Sequence, residues 1–214
     1  RTVWLQRARS QEPVLVWTDG AYEEEGAAQD IGFLVAVPRA GAPPRPPAEP
    51  TAEWVAEAYD FYHGAAPLPD DLRAALVERR QQIGQVEIIG AITPYLSCPE
   101  LFRGREVIHW IDNTSAVAAM AKGYSRAVDS ARLVHMFHAW AAGAEALVWF
   151  EYVPTHANPA DEPSRELALA AAPWRPAPGV VSRPRQVVFP PLCSLRAPEA
   201  WFIEARAVWG AASV

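Results

Sequence analysis

The chain has 214 residues, half of them hydrophobic, and a formal net charge of −6 at pH 7. This length and apolar content suffice for one domain with a buried core and some additional segments. No apolar run approaches the roughly 20 residues of a transmembrane helix, and no signal peptide opens the chain, so we expect no membrane association. The acidic charge argues against an autonomous nucleic-acid-binding protein, because such proteins usually present a basic surface.

Neither the cysteines nor the cations identify a function, although the cysteines suggest a compartment. Cys98 and Cys193 are the two cysteines, and they have no CxxC or Cys/His spacing, so neither a disulfide framework nor a zinc site is predicted. We therefore expect an intracellular protein, cytoplasmic or nuclear. Of the 19 cations, 18 are Arg and one is Lys122. Arg suits bidentate phosphate contacts, but coding bias would produce the same composition.

The first third of the chain predicts a hairpin followed by an insertion. Val14 to Trp17 is an apolar strand that ends at Asp19, and Ile31 to Val37 is a second strand of the same hairpin. The Pro-rich segment 40–69 is predicted to be an insertion, because Pro cannot donate a hydrogen bond inside a sheet. Within it, Trp54 to Tyr59 is expected to form a third strand at a sheet edge.

Helices and strands alternate in the rest of the domain. Pro69-Asp70-Asp71 begins a helical pattern that Gly84 is expected to divide into two helices and Pro94 to end. The next elements are a strand, two helices, a strand and a final helix, over Val107–Ile111, Asn113–Lys122, Asp129–Ala142, Leu147–Val153 and Asp161–Ala172. This order predicts a mixed α/β fold.

The composition changes after residue 172. Six Pro residues recur between 173 and 191, which is typical of a linker. Several apolar residues between Trp201 and Trp209 share one helical face, so we expect a small docking helix there. The predicted organisation is a domain over 1–172 and a linker with a docking helix over 173–214. Because the chain begins at Arg1 instead of Met, we expect it to be a piece of a longer protein.

Four acidic residues lie at the ends of predicted strands or on predicted helices. Asp19 and Asp112 each follow an apolar strand, Glu87 lies on a helix, and Asp161 begins the last helix. A carboxylate beside a buried strand is costly without a partner, and Mg²⁺ takes hard oxygen ligands of this kind. Each acid also has a simpler explanation: a strand-ending turn for the first, a solvated helix face for the Glu, and helix N-caps for the other two.

The order of these acids resembles that of the ribonuclease H fold, in particular the RNase H domains of retroelement reverse transcriptases. The matching segments are Thr18-Asp19-Gly20, Glu87, Asp112-Asn113 and the stretch from Asn158 to Arg165, which is similar to the N-x-A-D-x-x-S-R ending common in retrotransposon polyproteins. The resemblance covers residues 12–172. It implies an RNase H-like α/β fold: a mixed five-stranded sheet flanked by helices, with its first three strands antiparallel and its last two parallel.

The same resemblance implies an activity. Asp19, Glu87, Asp112 and Asp161 would hold two Mg²⁺ ions, with Mn²⁺ as a substitute, in an endonuclease that hydrolyses the RNA strand of RNA:DNA hybrids. A reverse transcriptase domain is expected in the same polyprotein. In many cellular RNases H a loop His farther from the last Asp helps the product leave. Here His156 lies only five residues before Asp161, so it is either a catalytic residue or a loop His without a role.

Substrate contacts are expected beside the carboxylates. Backbone amides around Gly20 could bind the ribose 2′-OH, which distinguishes RNA from DNA. The segment 122–126 combines cations with an aromatic ring, although a solvated turn would have the same composition. The residues predicted to contact substrate are Gly20, Asn113, Thr114, Ser115, Lys122, Tyr124, Arg126, Asn158 and Arg165.

Other functions of the same fold remain open. A catalytically silent RNase-H-like scaffold in a polyprotein or ribonucleoprotein would be indicated by loss of an acid, and all four are present. A junction resolvase would share the carboxylates. A 3′→5′ exonuclease is disfavoured, because its first strand would carry Asp-x-Glu, whereas Asp19 is followed by Gly20-Ala21.

Overall fold

The computed structural model describes residues 12–21, 30–41, 55, 57–77, 83–161 and 182–195. Its described strands form one six-stranded sheet in the order β5-β4-β1-β2-β3-β6. They are β1 (Val14–Ala21), β2 (Asp30–Pro38), β3 (Tyr59–Pro67), β4 (Glu106–Ile111), β5 (Leu147–Tyr152) and β6 (Ser182–Pro184). Strands β1, β2 and β3 are antiparallel, β4 and β5 run parallel to β1, and β6 runs parallel to β3. The mixed α/β sheet predicted from the sequence is confirmed.

Helices pack on this sheet and enclose the main core. In chain order they are α1 (Asp70–Ala75), α2 (Ile83–Ser97), α3 (Thr114–Lys122) and α4 (Val128–Gly143). The predicted ends of α3 are confirmed: the Asn113 side chain accepts hydrogen bonds from two backbone N–H groups of the first turn, and Gly123 ends the helix with φ 69°. Within the described ranges, no helix combines the length and the apolar character needed to cross a bilayer.

Helix α2 differs from its prediction at both ends. Gly84 lies in its first turn instead of at a break, and Pro94 lies inside the helix, which continues to Ser97. Pro94 removes one backbone hydrogen bond. All residues from Gln85 to Tyr95 are buried, so packing stabilises the helix in spite of that loss. Because Glu87 is among these buried residues, its simpler explanation as part of a solvated helix face is wrong.

Strand β3 lies later in the chain than predicted. The sequence predicted a strand from Trp54 to Tyr59 within an insertion over 40–69, whereas β3 runs from Tyr59 to Pro67. A glycine inside β3 weakens the sequence signal for a strand. Gly64 pairs with Phe33 of β2, and a Cβ on Gly64 would lie 2.6 Å from the Phe33 ring. The ring occupies the space that a side chain would fill, which explains a glycine inside the strand.

Part of the Pro-rich tail belongs to the sheet. Strand β6 pairs with β3 from Ser182 opposite Phe61 to Pro184 opposite His63, and Leu195 is buried in the main core. The sheet therefore has six strands instead of five, because a strand-length segment of the tail covers the edge of β3. The rest of the predicted final helix after Asp161 and the predicted docking helix near the C-terminus lie outside the described residues.

Candidate metal centre

Three of the four predicted ligands come together at one edge of the sheet. Asp19 lies on β1, Glu87 on α2 and Asp112 directly after β4, and each offers a carboxylate oxygen within 4.8 Å of the other two. Strands β1 and β4 are parallel neighbours, with Thr18 opposite Ile111. The carboxyl ends of the two strands therefore meet, which brings Asp19 and Asp112 to the same place.

Two glycines let α2 approach β1 closely. A Cβ on Gly20 would lie 3.1 Å from both the carbonyl carbon of Val86 and the amide nitrogen of Glu87. A Cβ on Gly90 would lie 3.3 Å from the backbone oxygen of Asp19. The short separation places Glu87 beside Asp19, and the Gly20 N–H donates to the Glu87 carboxylate. Sequence reasoning missed Gly90, although an isolated glycine in an apolar helix is a signal of close packing.

The electrostatics of the cluster favour a cation. Asp19 and Glu87 are 5% and 4% exposed. Burial, followed by the neighbouring carboxylates of Asp112 and Asp19, raises the pKa of Glu87 well above its ordinary value, while the Gly20 N–H acts in the opposite direction. Within the part of the chain that the structure describes, Glu87 Oε2 and Asp112 Oδ1 are buried without a hydrogen-bond partner. Buried carboxylate oxygens without donors suit a hard cation, so the three residues could hold a metal ion.

The loop after β5 is tied to the same strand end. Asn158 is buried, its Nδ2 donates to the Thr18 backbone oxygen at 3.0 Å, and its Oδ1 accepts from the Ala160 N–H at 3.2 Å. The structure thus gives Asn158 an internal role beside its predicted substrate contact. Asp161 is partly buried and its N–H donates to the Asn158 backbone oxygen at 3.2 Å. The Asp161 carboxylate does not belong to the group formed by Asp19, Glu87 and Asp112, and its role as a fourth ligand stays a prediction.

The other predicted site residues that the structure describes follow Asp112 along α3 or lie in loops. Thr114 and Ser115 are exposed in the first turn of α3, immediately after Asp112 and its neighbour Asn113. Lys122 is exposed at the opposite end of this helix, about 12 Å away along the helix axis. Further exposed residues are Tyr124, Arg126 and His156, and Arg165 lies outside the described residues.

No model of a known protein family matches the chain, and no curated protein is similar to it in sequence.

The raised pKa of Glu87 predicts the pH dependence of stability without metal. For a group whose folded-state pKa is raised, the stabilising contribution is complete below the unfolded-state pKa and is lost as the pH rises through the folded-state pKa. Glu87→Gln is neutral at every pH. We expect this variant to melt above wild type at neutral pH in EDTA, with a difference that shrinks as the pH falls toward 4.5, the ordinary pKa of the group.

A divalent cation should counteract the melting-temperature advantage of Glu87→Gln over wild type. Because a metal ion that binds only the folded state stabilises it by mass action, wild type should gain melting temperature and Glu87→Gln should gain less. Glu100→Gln is the matched control, since Glu100 is exposed and pairs with Arg185 at 3.1 Å. A Glu87→Gln variant that melts below wild type at neutral pH without metal would show that the Glu87 carboxyl group stabilises the fold.

Proposed function

We propose that this protein is a metal-dependent endonuclease of the ribonuclease H type that hydrolyses the RNA strand of RNA:DNA hybrids. The observation that carries the proposal is the group of three carboxylates, two buried (Asp19 and Glu87) and one partly buried (Asp112), near the carboxyl ends of two parallel strands and on the helix that faces them. The order of these acids in the sequence and the mixed sheet support it further. We place the domain in a polyprotein with a reverse transcriptase, whose basic surface would offset a net charge of −6.

The chain would supply ligands, donors and orientation. Asp19, Glu87 and Asp112 would hold the metal, with Asp161 as the fourth ligand. Two bound Mg²⁺ ions, or Mn²⁺ in their place, would activate a water and stabilise the leaving 3′ oxygen during in-line attack on the phosphodiester. The Gly20 N–H orients the Glu87 carboxylate.

Polar groups that could contact substrate stand next to the ligands in the sequence and in the fold. Thr114 and Ser115 are exposed in the first turn of α3, after Asp112 and Asn113, and the Ser115 hydroxyl group donates to Asn113 Oδ1 at 2.6 Å. A helix N-terminus favours phosphate oxygens, and hydroxyl groups can also bond a ribose 2′-OH. Lys122, Tyr124 and Arg126 would contact the hybrid at the far end of the same helix.

Cleavage of strand-labelled duplexes tests the proposal. In Mg²⁺ we expect the RNA strand of a hybrid to be cut, leaving 3′-OH and 5′-phosphate ends, and we expect no cleavage in EDTA. The DNA strand and double-stranded DNA should stay intact. Cleavage of a four-way DNA junction instead of the hybrid would favour a junction resolvase. Binding of the hybrid without cleavage in Mg²⁺ or Mn²⁺ would favour a silent scaffold.

A further inference from the structure

A chain of hydrogen bonds runs through the core beneath the carboxylates. His109 of β4 has no exposed surface. Its Nε2 lies 2.9 Å from the Thr18 hydroxyl of β1, and its Nδ1 lies 2.9 Å from the Tyr95 hydroxyl of α2. The three residues, called the Thr18–His109–Tyr95 chain below, are all buried. The chain therefore joins two strands and a helix through side-chain atoms alone.

The three carboxylates lie on the same three elements or directly after them. Thr18 immediately precedes Asp19 on β1, His109 lies three residues before Asp112, and Tyr95 lies about two helical turns after Glu87 on α2. Each element thus positions one acid and contributes one member of the Thr18–His109–Tyr95 chain. A shift of any of them along its axis would stretch these hydrogen bonds and change the separation of the carboxylates.

The imidazole is well suited to join two hydroxyl groups. Burial lowers the pKa of His109 to about 3, so the ring is neutral at pH 7. A neutral imidazole has one N–H donor and one acceptor nitrogen. It therefore accepts from one hydroxyl group and donates to the other. The rings of Tyr95 and Phe150 pack against it, with centroids at 5.6 and 5.3 Å.

We propose that the Thr18–His109–Tyr95 chain positions the three carboxylates for metal binding, and that its members are positioning residues of the candidate metal centre. This inference rests on the proposed metal-dependent function. Apolar packing is non-directional and tolerates small shifts between elements, whereas hydrogen bonds fix distance and angle. A second restraint acts on the same residue, because Asn158 donates to the Thr18 backbone oxygen. Thr18, the residue before Asp19, is thus held through both its hydroxyl group and its backbone oxygen.

The test is Mn²⁺ affinity, measured by isothermal titration calorimetry on the full chain well below the melting temperature of each variant. Tyr95→Phe removes one hydroxyl group and keeps the ring, and we expect it to bind Mn²⁺ about tenfold more weakly, in the range seen for outer-shell partners of metal ligands. Thr93→Val is the matched control. Its hydroxyl group is also buried on α2, but it donates to the Ile89 backbone oxygen at 2.7 Å, so its hydrogen bond stays within the helix.

Thr18→Val tests the chain from its other end and serves if Tyr95→Phe does not fold. It should weaken Mn²⁺ binding similarly. The double variant should bind Mn²⁺ no more weakly than either single variant, because loss of one hydrogen bond already interrupts the Thr18–His109–Tyr95 chain. Wild-type affinity in folded Tyr95→Phe or Thr18→Val overturns the inference and leaves the proposed function standing. Equal weakening in Thr93→Val also overturns it, since any loss of α2 stability would then suffice. A wild-type protein that binds no Mn²⁺ overturns both.

Discussion

Asp112→Asn is expected to lower metal-dependent RNA cleavage at least about 100-fold, because even outer-shell partners of metal sites are worth 10- to 100-fold and this residue would be a direct ligand. Asn keeps the shape of the side chain but removes the negative charge that a hard cation needs. Asp112 Oδ1 is one of the buried oxygens that have no hydrogen-bond partner in the described part of the chain. The substitution should also relieve repulsion with Glu87, so the metal-free protein should melt no lower than wild type.

The measurements are kcat/KM on a labelled hybrid and the circular dichroism spectrum of the same preparation. Asp70→Asn is the matched control: the Asp70 side chain is 90% exposed and pairs with Arg73, so cleavage should be unchanged. Undiminished cleavage by Asp112→Asn would remove Asp112 from the mechanism. Loss of the folded spectrum would show instead that Asp112 is needed for the turn between β4 and α3.

Much of the fold was predictable because its signals are local. The apolar run before Asp19, the run before Asp112 and the caps of α3 each lie within a few neighbouring residues. Strands β3 and β6 carry no such signal. Gly64 lies in β3 because the Phe33 ring of a neighbouring strand covers it, and β6 is short and Pro-containing. Both strands depend on residues that are distant in sequence.

In the candidate site, too, some residues were predictable from local sequence signals and others were not. Three acids were predictable, since each ends or lies on a well-marked element. Their supports were not: Gly90 matters because of its distance to the Asp19 backbone, and His109 because hydroxyl groups from two other elements reach its ring. From the sequence, His109 was a lone His in an apolar strand. Such residues become informative only when distances between elements are known.

Gly20→Ala is expected to destabilise the protein by about 1–3 kcal/mol, the usual cost of overpacking. The new Cβ would lie 3.1 Å from backbone atoms of Val86 and Glu87, which cannot rotate away as a side chain could. Helix α2 must therefore move away from β1, and this movement separates Glu87 from Asp19. We expect metal affinity and cleavage to fall together with stability.

Gly143→Ala is the matched control for this change. Gly143 lies at the end of α4, has no positive φ, and has nothing within 4 Å of an added Cβ. It should be neutral or stabilising by up to about 1 kcal/mol, because Ala restricts the unfolded chain more than Gly does. Urea unfolding measures both variants on one scale.

The pair of measurements also separates two roles for Gly20. A glycine that only contacts the ribose would, when replaced by Ala, reduce cleavage of the hybrid without changing the free energy of unfolding or the affinity for Mn²⁺. A glycine that lets α2 approach β1 would change all three quantities. The backbone contacts at 3.1 Å favour the second outcome. Wild-type stability together with reduced cleavage would return Gly20 to the substrate contacts predicted from the sequence.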